Sequence, residues 1–438
     1  MLLRAVHLVD PASPHHLQTV DLRIDADGTI AEIGKDLTSE GEDVIDLPAD
    51  THCAPGFVDI GAYLGEPGHE EREDIESLRA AALAGGYTTV AVLPTSTPVR
   101  QRVADLAYLT RTNAGAAVEL LPLASLSHDG HGNDLTEMAD LATAGAVAFT
   151  DGVGRPVSGS LLRRGLEYAK TFDGRLLVTP HDGSLSEEGQ IHEGAVSVQL
   201  GLPGLPELCE IIPLSRDLEL LRYTEGQLIV HLLSSAGGVD LLRRARDTGA
   251  YAGGEGGVGE RVESLYATVS AHHLSFTVDE LTGFDSNFKV LPPLRATSDR
   301  SHLRAAAQDG TIDAVVSNHH ARHGEEKDLE FPYTAFGARG LETAFRQCLA
   351  LVAAEELELA RAVELFTSGP RRVLGLPENT IAPGRPASLT LFTTEPPRPF
   401  TAADLPLRAK TTNNPALNRD LPGRILGTVT NGRFHPAP

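Results

Sequence analysis

Histidine and carboxylate side chains gathered at strand ends are the donor set of a zinc hydrolase. They hold the ion, and the ion lowers the pKa of its bound water towards neutrality. Here His319, His320 and His323 fall on one short loop, and His181 and Asp151 lie at earlier candidate strand ends. These five could form a rebuilt metal site. The competing reading makes them polar loop residues, hydrogen-bonded or facing water. It is the favoured one, because a metal site needs fixed coordination geometry and not mere histidine density. Asp151 alone reads as a carboxylate accepting backbone N–H groups in the Thr150-Asp151-Gly152 turn. His272-His273 ends another candidate strand, and His128 and His131 stand in the run SHDGHGND. Both pairs read as structural or solvated. The run 253–259 is glycine-rich but lacks Gly-Lys-Ser/Thr, so it is no phosphate loop and reads as an inserted flexible loop. Cys53, Cys209 and Cys348 are far apart and form no CxxC, which excludes a disulfide scaffold and a cysteine zinc site.

The elements that position these residues alternate in type. Apolar strand runs at 56–60, 88–93, 119–124, 146–150, 175–179, 227–233, 266–271 and 313–317 are separated by helical stretches such as 74–84, 135–144, 206–223, 238–248 and 340–354. Eight such strands with crossover helices predict an α/β fold, a (β/α)8 barrel over 51–380. The ends differ. Residues 1–50 and 381–438 read as short strands and turns, each too small for a core, and predict one composite β-sandwich built from both termini. Within the first, Arg23 to Gly28 reads as a strand running into an Asp-Gly turn.

The 438 residues carry 37 Lys and Arg against 60 Asp and Glu, a net charge of −23. That balance excludes nucleic acid and anionic membrane as partners. No apolar run approaches the ~20 residues of a membrane span. The opening MLLRAVHLVDP turns polar too early for a signal peptide. The expected location is the cytoplasm.

PGFVDI, followed by LGEPGHEEREDIESLRAAALAGGYTTVAVLPTSTP, resembles the opening of a type I dihydroorotase. AFTDGVGRPV, HEGAVSVQLGLPGLPELCE, FDSNFKVLPPLR, DGTIDAVVSNHH and GLET continue the likeness in family order along the whole chain. The resemblance implies an amidohydrolase barrel beside a small β-sandwich, and zinc-dependent closure of carbamoyl-aspartate to dihydroorotate in pyrimidine synthesis. The family's metal-site positions fall on Gly61 and Tyr63 for its His-x-His, Asp151 for its carboxylate or carbamylated lysine, Thr179 and Leu232 for two histidines, and Asn318 for the general-base aspartate. Only Asp151 keeps a suitable side chain. Asn318 cannot take a proton. His181 stands at a glutamate position, and His231 is one residue from the lost histidine, which on a strand puts it on the opposite face. The substrate-binding positions fall on Gly65, Thr95 and Leu291, none of the family type, and on His319, which matches a family substrate contact. The resemblance therefore implies the catalytically degenerate branch. Such proteins accompany aspartate carbamoyltransferase as non-catalytic assembly subunits. No cofactor is expected, and a homodimer or larger assembly is. The alternative is an active zinc dihydroorotase, or a related cyclic-amide hydrolase, with the rebuilt site named above.

Overall fold

The structure, a computed structural model, describes residues 1–39, 41–247 and 264–437. The run 253–259 lies outside the described residues. Strands Phe57–Ala62, Tyr87–Val92 and Glu119–Pro122 form one parallel group. Leu176–Val178, Leu228–Val230, Leu265–Ser270 and Ala314–Val316 form a second. The expected fourth strand is the link between them. Residues 146–150 form an extended stretch whose bridges centre on Phe149, pairing with Ala124 on one side and Leu176 on the other. Each pairing lasts one residue, so the stretch is a bridge and not a full strand. Val147 and Thr150 donate to the third strand's side, and Phe149 donates to Arg175.

Alternate residues of these strands point inward. Val58, Ile60, Ala91, Leu177, Ile229, Tyr266, Ala314 and Val316 pack as one buried cluster, the filled interior of a closed barrel. The ring closes through a side chain. Asp59, fully buried, accepts the Ser317 N–H at 2.7 Å and the Ser317 hydroxyl at 2.7 Å. Beyond it the Tyr63 N–H donates to the His319 carbonyl at 2.9 Å.

Helices take the predicted places. The first barrel helix, Ile75–Ala84, starts on a capping box in which Asp74 accepts the Ser77 N–H. Leu208–Thr224 and Ala236–Asp247 follow strands five and six. Ala344–Ala353 opens four residues later than expected, because residues 340–343 form turns beside the end of strand eight.

Strands from the two chain ends share one eight-stranded sheet, while Arg398–Phe400 and Arg419–Leu421 pair separately. Its path runs Arg433–Pro436, Arg424–Thr430, Leu389–Thr393, His52–Pro55, Leu2–Leu8, Thr19–Ile24, Ile30–Gly34, with Val44–Ile45 also paired to Leu2–Leu8. The expected Asp-Gly turn is present, with Gly28 at φ +86. The sheet's core holds Leu3, Val6, Leu22, Leu391 and Cys53. All three cysteines are buried and free. Phe57 at the root of strand one ties sheet to barrel. Its ring lies 4.4 Å from that of Phe345, which lies 4.9 Å from that of Phe392.

Burial pushes the Asp59 carboxyl up to about 6, above the ordinary aspartate value; the Ser317 bonds and His319 pull the other way. With the folded value above the unfolded one, the native state holds more protons between about pH 4 and 6, so stability falls as pH rises through that window and stays lower above it. Asp59→Asn keeps an acceptor for Ser317 and cannot ionise. Urea unfolding at pH 4 and pH 7 is expected to show the native chain losing more stability than the variant. Equal losses would refute the assignment.

Candidate functional site at the barrel mouth

A cleft of about 610 Å³ opens above the C-terminal ends of strands one to four and eight. Tyr63 and His320 stack within it, ring centroids 3.5 Å apart and planes 7° from parallel. Burial pushes the Tyr63 hydroxyl up to about 12, with Arg322 and Arg155 acting in the opposite direction. Burial also holds His320 well below the ordinary histidine value, helped by Arg322 and Arg72. His320 is therefore a neutral ring. Three arginines line the cleft. Arg72 and Arg322 share one acid, Glu326, at 2.9 and 3.0 Å. Arg155 donates to the carbonyls of Asp129 and Gly130, both at 3.2 Å.

The positions that match the family's metal ligands are shaped by backbone and packing. Gly61 is the extra residue of a bulge between strands one and two, at φ +87. A Cβ there would lie 2.5 Å from His231 Nε2. The imidazole of His231 thus fills the space in which a side chain at position 61 would start. This corrects the expectation that His231 faces away from the interior. Ile229 points inward, so the alternation carries His231 inward too, and Leu232 joins the interior cluster because its backbone turns left-handed at φ +59. His231 Nδ1 lies 2.9 Å from Thr268 Oγ1, while Nε2 has no partner. Burial drives this ring down to about 3, so it is neutral. Thr179 is buried with its hydroxyl unpartnered. Asn318, at φ +48, donates its amide to the Leu291 carbonyl at 3.3 Å.

Asp151 is bonded throughout. One oxygen accepts the Ser127 N–H at 2.8 Å and the Ser125 hydroxyl at 3.0 Å; the other accepts the Ser127 hydroxyl at 2.6 Å. The donors come from the loop after strand three and not from its own turn, where the Gly152 N–H donates to Thr150 instead. His319 is fully buried, with Nε2 2.6 Å from Glu73 and Nδ1 facing the N–H groups of Gly340 and Leu341 at 3.2 and 3.3 Å. Two backbone donors make Nδ1 the acceptor and Nε2–H the donor to Glu73. Glu73 also pairs with Arg339, a fully buried guanidinium that bonds Glu342 and Thr411. Both His319 nitrogens are consumed by this network, and neither is left for a ligand.

The remaining histidines are scattered. His181 does not line the cleft, and it is pushed below its ordinary value by burial and then by the cation Arg295. His323 caps the short helix Gly324–Lys327, its Nδ1 accepting the Glu325 N–H. His272 and His273 are buried and neutral, pushed down to about 3 and about 4 by burial. His128 is exposed. Among the described residues, no three His, Cys, Asp or Glu side chains are grouped so as to hold a metal ion. The zinc set implied by the family pattern does not fit these residues: position 61 admits no side chain, Thr179 and Leu232 stand where two histidines are needed, and Asp151 already accepts three hydrogen bonds from Ser125 and Ser127. The five residues of the rebuilt site do not come together.

Sequence reasoning missed the arginines and the Arg339 network. Arg155 sits directly after Gly152-Val153-Gly154, and Arg322 within NHHARH, so both could have been found by reading every cation on a strand-end loop.

Among the described residues no helix is long and apolar enough to cross a membrane. A family model described as dihydro-orotase-like matches residues 52–235. A dihydroorotase from Anaeromyxobacter dehalogenans is 36% identical over 440 residues, covering 99% of this chain and 97% of the relative. One from Syntrophotalea carbinolica is 34% identical over 437 residues, covering 99% and 98%. Among solved structures, an L-hydantoinase (dihydropyrimidinase) from Arthrobacter aurescens superposes with a TM-score of 0.82 at 20% identity, covering 99% of this chain and 95% of that one. That likeness concerns the fold: a barrel beside a sheet domain. Identity of this extent along the full length shows that the chain belongs to the dihydroorotase family of amidohydrolases.

Proposed function

We propose that this protein is a non-catalytic dihydroorotase homologue of pyrimidine biosynthesis, acting in the cytoplasm as an assembly partner of aspartate carbamoyltransferase and itself forming a dimer or larger assembly. The observation that carries the reading is the contact between Gly61 and His231. A family ligand position holds no side chain, and the space it would need is filled by a neutral imidazole packed against the backbone. Asn318 at the general-base position adds a second loss, since an amide cannot shuttle a proton. Conservation of the scaffold without the chemistry fits a role in which the surface matters, because fold and activity are separable.

The reading is tested with purified chain and dihydroorotate, following ultraviolet absorbance with and without added zinc. No turnover above buffer is expected in either condition, together with co-elution with aspartate carbamoyltransferase when the two are mixed. Zinc-dependent turnover would overturn it in favour of a rebuilt hydrolase.

The packing claim has its own test. Gly61→Ala introduces a methyl group against His231 at a left-handed position, and is expected to cost about 2–4 kcal/mol in denaturant unfolding. Adding His231→Ala removes the collision, so the double variant should be more stable than the sum of the singles predicts. Simple additivity would mean that the two residues do not touch.

A further inference from the structure

A second cavity, of about 620 Å³, lies at the opposite end of the barrel and shares no lining residue with the mouth cleft. Its walls are the starts of strands two and three, part of the chain between Arg371 and Ser388, and two turns of the terminal sheet. Those turns are fixed. A Cβ on Gly28 would lie 2.8 Å from the Gly432 nitrogen, and Asn431 donates its amide to the Ala116 carbonyl at 3.1 Å. The base of such a barrel is ordinarily a place for stabilising packing. Here it holds opposite charges that do not touch. Arg371 donates Nη1 to the Pro377 carbonyl at 3.0 Å, its Nε has no acceptor, and among the described residues it pairs with no carboxylate. Burial pushes this guanidinium below its ordinary value, and Glu119 is the acid acting the other way. Glu119 opens strand three on the cavity wall and is in no ion pair among the described residues. Thr89 faces the barrel axis two residues before Ala91, and its hydroxyl has no partner among the described residues. A guanidinium and a carboxylate held apart across open space add little to stability. A molecule that carries both charges would join them.

The complete charge count of the lining selects the class. Asp27, Glu119 and Glu378 stand against Arg371 and Arg385, which leaves one negative charge in surplus. Arg371 and Glu119 cancel, and they match a zwitterion. At the rim Arg385 offsets one of Asp27 and Glu378, so the surplus acid lies there and matches a further cation. The volume falls within the roughly 300–1,000 Å³ of small-molecule sites. We propose that the barrel base binds a free basic amino acid, with its carboxylate on Arg371, its α-ammonium on Glu119 and its side-chain cation towards Asp27 and Glu378. The site stands apart from the mouth and does not depend on the function proposed above.

The probe is L-lysine, titrated calorimetrically into the full chain at low salt, where surface charges are least screened. L-norleucine, cadaverine and L-glutamate are the comparisons. The first lacks the side-chain cation, the second the carboxylate, and the third has the opposite net charge. Lysine is expected to bind about tenfold or more tightly than any of them. Arg371→Gln and Glu119→Gln should each weaken it by about tenfold or more, Glu378→Gln and Asp27→Asn by less, and Arg163→Gln on the outer helix Gly159–Ala169 not at all. Glu119 is exposed, so Glu119→Gln carries the test if Arg371→Gln does not fold. In the unmodified chain the methyl resonances of Leu121 and Leu376, both on the cavity wall, should shift with added lysine. No binding, lysine no tighter than norleucine or cadaverine, glutamate matching it, affinity indifferent to positions 119 and 371, or unmoved methyl resonances would each overturn the proposal.

Discussion

The imidazole of His231 and the bare backbone of Gly61 occupy adjoining space across the barrel, and the mouth is arranged around that contact. A neutral ring fills the interior above Ile229, so the layer that would hold charged ligands is instead packed. Packing of this kind is cheap only for an uncharged group, and burial ensures that the ring is uncharged. Gly61 in the bulge of strand one, and Leu232 and Asn318 just beyond strands six and eight, all have positive φ. Such turns re-aim the chain at the rim of a barrel. Here they carry a glycine that makes room for His231, a leucine that adds bulk and an asparagine that donates an amide bond, none of them a metal donor.

Below the cleft a second constraint operates. Glu73, His319, Arg339 and Glu342 form a buried polar network joining the loops after strands one and eight to the segment around Thr411. Ions are expensive to bury, and such networks hold only when nearly every member is satisfied. This explains why a histidine matching a family substrate contact is retained. His319 is needed to place Glu73 and to receive the Gly340 and Leu341 backbone, whatever happens at the mouth.

Much of this was legible in the sequence. Alternation of apolar runs and helical stretches located the barrel, and the short strands at the two ends were read as one composite β-sandwich. The loss of ligand types at Gly61, Thr179, Leu232 and Asn318 was visible directly. What the pattern could not carry was direction. The period-two rule placed His231 by reference to Leu232, yet Leu232 is the residue that breaks the rule, because its left-handed backbone turns it inward as well. Asp151 was read as bonded within its own turn, whereas its donors come from Ser125 and Ser127, more than twenty residues away. The Arg339 network joins residues hundreds of positions apart, and no local signal announces such a meeting.

The sheet shared by the two ends has a consequence for the order in which the molecule is made. The strand His52–Pro55 lies between Leu2–Leu8 and Leu389–Thr393, and the Phe57 N–H donates to Thr390. As the chain leaves the ribosome, the amino-terminal strands must wait with one edge open until the last fifty residues emerge. Pairing over such a separation is slow, since the loop must close before its contacts reward it. The barrel can condense in the meantime, but the anchor at the root of its first strand is set last. A nascent chain arrested before residue 389 would therefore hold a barrel without its base and a β edge open to other chains.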